Sequence, residues 1–199
     1  MKPFQRYITI VAFTAGLYAS ASASAALIQF TSRAAFDAAT ASQIVEPNSA
    51  PEASYVPLGF AVYNGIAYPA YAYMVDPAYA PDLYQYGTGP VLLLANDTRL
   101  SFAPVTAFGA DFAALGGFGT DITITIDGVS QVLAMSARQE LTFYGFISST
   151  PFDSVSLRTD AQYLIADNIT RADAAIPEPA SCVLFALALA ALGCARRRR

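Results

Sequence analysis

DITITIDGVSQVLAM, residues 121–135, alternates apolar and polar side chains with a period of two. Ile122, Ile124 and Ile126 fall on one face, and Thr123 and Thr125 on the other. That period belongs to a half-buried strand, because successive side chains in a strand point to opposite faces. Asp127-Gly128 is a tight-turn dipeptide, and Val129 to Met135 returns as the second arm of a hairpin. Working outward, Val91–Ala95, Leu100–Phe102, Val105–Phe112, Leu141–Ile147, Phe152–Arg158 and Tyr163–Thr170 read as further short strands. Pro104 closes one of them, and Gly116-Gly117-Phe118-Gly119 makes a turn. Many short antiparallel strands separated by turns argue an all-β, two-layer antiparallel sandwich.

The amino-terminal part adds a strand at Leu27–Phe30 and one short helix from about Arg33 to Thr40, with Ser32 as its N-cap. A second region, residues 54–89, is rich in tyrosine and proline. Tyr55, Tyr63, Tyr68, Tyr71, Tyr73, Tyr79, Tyr84 and Tyr86 lie among Pro57, Pro69, Pro77 and Pro81. Tyrosine combines an apolar ring with a polar tip and suits half-wet positions. These rings therefore read either as a carbohydrate-contacting surface, with Tyr71, Tyr73, Tyr84 and Tyr86 as candidates, or as packing over a sheet edge and a long loop.

Both ends of the chain are address signals. Lys2 and Arg6 precede an apolar stretch, Ile8–Tyr18, and then small residues. Ala23-Ser24-Ala25 fits the pattern of a signal-peptidase site, which places cleavage after Ala25. At the other end, Pro177-Glu178-Pro179 is followed by an uncharged apolar run, Ser181–Ala195, and by Arg196, Arg197, Arg198 and Arg199. The run is short against the ~20 residues that a membrane helix needs. Arginine clusters stay on the cytoplasmic side, so the body is expected outside and the carboxy terminus inside. The expected division is a signal peptide at 1–25, a β-sandwich body at 26–173 and a sorting signal at 174–199. Within the body, 27–42 holds the first strand and helix, 54–89 the tyrosine-rich region and 90–171 the main strands.

The Pro-Glu-Pro triplet, apolar helix and terminal arginine cluster resemble the PEP-CTERM sorting signal of bacterial exported proteins. Its tail module also carries the label "ice-binding protein C-terminal domain", a label for the tail alone. The resemblance implies processing by an exosortase at the inner membrane. It further implies transient anchoring by the tail helix and a final place at the cell surface or outside. The segments Ala103–Gly109, Phe143–Ser148 and Ala166–Ile169 are similar to the recurring body of these proteins, which implies a jelly-roll or galactose-binding-like sandwich.

The body's chemistry is narrow. The chain has no histidine, its one lysine is Lys2, and both cysteines, Cys182 and Cys194, lie in the tail. Imidazole bases, thiol chemistry, Ser-Lys schemes and cysteine–histidine zinc sites are thereby removed. The body keeps five arginines against all but Glu178 of the 15 acidic residues, so it should repel nucleic acid and anionic lipid. What survives is carboxylate chemistry: a glycosidase pair, or oxygen ligands for a structural calcium. Asp167 and Asn168 are the calcium candidates, and their alternative role is to cap a turn at a strand end. No other cofactor is expected. The leading expectation is a non-catalytic structural or adhesive protein of the envelope or extracellular matrix. The alternatives are a carbohydrate-binding module attached to extracellular polysaccharide and a glycoside hydrolase.

Overall fold

The structure, a computed structural model, describes residues 26–46, 48, 54–80, 86, 89–115, 121–135 and 140–175. Ala23, Ala25, Tyr84, the 116–119 turn, Pro177, Glu178, Pro179, the tail helix and Arg196, Arg197, Arg198 and Arg199 lie outside those residues. The described part is almost entirely antiparallel β, in one ten-stranded sheet. Its strands are β1 (Leu27–Phe30), β2 (Thr40–Val45), β3 (Tyr55–Pro57), β4 (Val62–Tyr63), β5 (Ile66–Ala67), β6 (Ala72–Val75), β7 (Val91–Leu115), β8 (Ile122–Ile126), β9 (Val129–Leu133) and β10 (Thr142–Ala174). One helix, α1 (Arg33–Ala38), and a 3-10 turn at Pro77–Tyr79 complete it. No helix among the described residues is long and apolar enough to cross a membrane.

The β8–β9 hairpin forms as the alternation predicts. Ile122, Ile124 and Ile126 are buried, and Thr123 and Thr125 face outward. Asp127 and Gly128 both have positive φ, 49° and 77°. Two such residues in a row make the primed turn whose twist matches the flanking strands. A second turn of this kind, Asn64-Gly65 at φ 49° and 78°, joins β4 to β5. Helix α1 begins where Ser32 accepts a hydrogen bond from the Ala35 amide at 3.4 Å. Its buried Phe36 packs against Phe30 and Phe143 at centroid distances of 5.9 and 5.6 Å.

The segmentation of the main strands differs from expectation. Leu100–Phe102 and Val105–Phe112 are parts of one 25-residue strand, β7. The three expected strands between Leu141 and Thr170 are runs of one 33-residue strand, β10. The β7–β10 ladder absorbs the prolines in register shifts. Phe152 pairs with Val105 and Ser154 with Ser101, so Pro104 sits in a bulge where its missing N–H costs no ladder bond. A further shift falls between Ile147 and Phe152, where Pro151 lies.

These shifts let β7 and β10 serve two blocks of pairing. In one block, residues 107–115 of β7 lie between two runs of β10: Thr142 and Ala166 both pair with Phe112. β1 and β2 flank this block through Leu27↔Ser148 and Val45↔Thr170. In the other, β8 pairs with β10 at Ile126↔Val155, and Val155 pairs onward with Leu100 of β7. One apolar cluster gathers inward residues from both blocks: Phe108, Phe112, Phe146 and Leu164 from the first, Leu100, Ile124, Val155 and Leu157 from the second.

Candidate functional site

The outward face of the second block carries a cleft of about 580 Å³. Period-two alternation builds its floor. Val155 and Leu157 of β10 point into the core, so Ser154 and Ser156 point out. Ser156 is the cross-strand partner of Thr125 on β8 and of Arg99 on β7. These three side chains therefore form a polar row across three strands. The Asp127-Gly128 turn, Pro104 and the Pro151–Asp153 segment surround it.

Several polar groups of the cleft are bonded to one another or to residues beside it. Arg99 donates to Ser154 Oγ at 2.8 Å, and Ser154 donates to Asp153 Oδ1 at 3.1 Å. Thr150 donates to Asp127 Oδ2 at 3.0 Å, which ties the hairpin turn to β10. Thr125 and Ser130 share a hydroxyl hydrogen bond of 2.8 Å. No local motif marks this site in the sequence, because its residues come from three strands that only the register brings together.

Asp167 and Asn168 belong to a different cluster. Asp167 is the cross-strand partner of Asp111. Asn168 has φ 48° and donates from its side-chain amide to Asp111 Oδ2 at 2.8 Å and to Asp167 Oδ2 at 3.3 Å. Asn48 donates to Asp167 Oδ1 at 2.7 Å, and the Asn168 backbone N–H reaches the same oxygen at 2.7 Å. Arg33, at the start of α1, pairs with Asp111 at 2.9 Å and donates to Thr170 Oγ1 at 3.2 Å. Its guanidinium also lies 4.4 Å from the centre of the Phe143 ring. Burial pushes the Asp167 carboxyl up; the Asn168 N–H bond opposes this, and the Asp111 charge adds to it. Here the Arg33 guanidinium and two amides bond these oxygens, and the cluster works as a clamp that joins α1, β7 and β10. Among the described residues, no group of three or more His, Cys, Asp or Glu side chains is placed to hold a metal ion.

The tyrosines divide by burial. Tyr71 is 64% exposed. Tyr73 is half-buried and packs against Tyr55 in a tilted ring pair at 4.6 Å, and Tyr55 makes a second tilted pair with Tyr79 at 5.3 Å. Tyr86 is buried among Val75, Val91 and Leu93, so it serves the core and offers no surface to a ligand. A feature with no sequence signal is the buried ion pair of Arg171 with Glu46, 125 residues apart in the chain. Arg171 also donates to the carbonyls of Gly65 at 3.2 Å and Asn64 at 2.7 Å, which fastens the β4–β5 turn to β10. Burial raises the nearby Tyr68 hydroxyl far above its ordinary pKa, and the Glu46 charge adds to the shift.

β10 ends at Ala174, and the next residues carry the decisive comparison. Residues 175–199 match the family model described as the PEP-CTERM protein-sorting motif. The tail is a PEP-CTERM sorting signal. A PEP-CTERM signal marks an exported protein handled by an exosortase, and here it begins one residue after the last strand. No curated protein matches the chain. A solved structure of the catalytic domain of a GH87 alpha-1,3-glucanase in complex with tetrasaccharides is similar at 11% identity and a TM-score of 0.38. The likeness covers 63% of this chain and 28% of that one, and at this score it carries no argument about fold or activity.

Proposed function

We propose that this PEP-CTERM protein is exported and released to the cell surface or extracellular matrix, where its β body acts structurally or adhesively without catalysis. The observation that carries the reading is the sorting signal matched at 175–199, next in sequence to a sheet whose last strand ends at Ala174. A leader at 1–25 with the Ala23-Ser24-Ala25 pattern agrees with it in direction. In the same reading the ten-stranded sheet closes on itself as a two-layer, jelly-roll-like sandwich. The shared apolar cluster supports this, since it draws inward residues from both pairing blocks. Of the tyrosines offered for carbohydrate contact, the exposure of Tyr71 supports that use, whereas the ring contact of Tyr73 with Tyr55 and the burial of Tyr86 favour packing.

Intact-mass measurement on protein recovered from its host, with and without a functional exosortase, tests the proposal. A mass that begins at Ala26 and lacks the arginine cluster, with the protein outside the cell, is the expected result. Full-length protein retained in the cytoplasm would overturn it.

A further inference from the structure

We propose that the cleft across β8, β10 and β7 binds a neutral saccharide, as a short stretch of a polysaccharide chain. The inference rests on the export reading, because such polymers lie outside the cell. Its floor and rim hold three kinds of polar group. Asp127 and Asp153 accept hydrogen bonds, Arg99 donates several in a fixed plane, and Thr125, Ser154 and Ser156 do both. A sugar ring presents adjacent hydroxyls, each a donor and an acceptor, together with a ring oxygen that accepts only. The cleft offers both donors and acceptors to such a surface.

Charge selects among sugars. The lining carries one cation and two anions, within a body that is strongly acidic throughout. A uronate or sulfated polymer would meet net repulsion, whereas a neutral one would not. Pro104 and Pro151 add apolar edges for the C–H faces of a ring. The volume of about 580 Å³ falls within the range of roughly 300–1,000 Å³ typical of small-ligand pockets. The polar groups are also held in place beforehand: Arg99 on Ser154, Ser154 on Asp153 and Thr150 on Asp127. Side chains already fixed lose less entropy when a ligand arrives.

The test uses the full protein as secreted by its host, on surfaces bearing neutral glucan, mannan, galactan and xylan, with alginate as the acidic comparison. The expected result is retention on at least one neutral polymer and none on alginate. Arg99→Gln and Asp153→Asn should each weaken that retention by about tenfold, the scale of losing one charge-assisted hydrogen bond. Ile44→Ala, an exposed side chain of β2 outside the cleft, should leave it unchanged. Ser156→Gln, which fills the floor from an outward position, is the second line if either charge variant melts early. Preference for alginate, absence of all neutral binding, or binding that survives in folded variants would each overturn the proposal. Fractionation of the same cultures separates the two failures. Secreted protein that binds no glycan removes the ligand alone, and protein that is never exported removes the export reading as well.

Discussion

Arg171 shows at the scale of one residue why a buried charge in this body is costly to disturb. Its side chain and that of Glu46 are 6% and 3% exposed. Removing one partner leaves the other charge buried and unpaired, which costs about 3–5 kcal/mol. Arg171→Met should therefore lower the stability by that amount in urea unfolding. The double variant Arg171→Met with Glu46→Leu should recover most of the loss, because an apolar pair needs no compensating charge. Gly145 is constrained by space: a Cβ there would lie 2.5 Å from Cδ2 of Phe36. Gly145→Ala should cost about 1–3 kcal/mol in the same measurement, the usual penalty for overpacking a core. Asp167 sets a pH dependence. Burial raises its carboxyl above the ordinary 3.8, so the folded protein holds that proton more tightly than the unfolded chain does. Its contribution to stability is complete below 3.8 and is lost as pH rises through the raised value. Asp167→Asn cannot titrate. Its stability relative to the parent should climb across that window and then level off, as read from melting temperatures over an acid pH series.

Among the elements, the β8–β9 hairpin and the two long strands teach different lessons. The hairpin was legible from Ile122, Ile124, Ile126 and Asp127-Gly128 because both its periodicity and its turn are local. Gly128 holds φ 77°, so Gly128→Ala should cost about 1–2 kcal/mol in chemical denaturation, the penalty of the left-handed region for an L-residue. The continuity of β7 and β10 was not legible. Pro104 reads as a stop in one dimension, yet register shifts carry the chain past it, and past Pro151, with little loss of pairing. The same shifts shape the cleft, since the Pro104 bulge and the Pro151–Asp153 segment border it. Arg99, Thr125 and Ser156 were invisible as a site for that reason. Their neighbourhood is set by pairing across three strands, and nothing in their local sequences announces it. Asp167 and Asn168 were legible as a polar pair, but their partners Asp111, Arg33 and Asn48 lie far off in the chain. The burial of Tyr86 escaped composition because a tyrosine ring suits core and surface alike.

At the scale of the whole molecule, the order of the chain places its address beside its centre. β10 pairs with β1, β2, β7 and β8, so it is the strand on which most of the sheet depends. It is also the strand that leads into the sorting signal, from Ala174 to residue 175. Tension applied at the carboxy terminus enters the body through β10. Load on an edge strand peels a sheet one ladder bond after another. Load on an interior strand must be shared by the ladders on both its sides. In single-molecule pulling from the carboxy terminus, the body should therefore give way in one high-force rupture. A staircase of small steps would show that the sheet unravels from an edge.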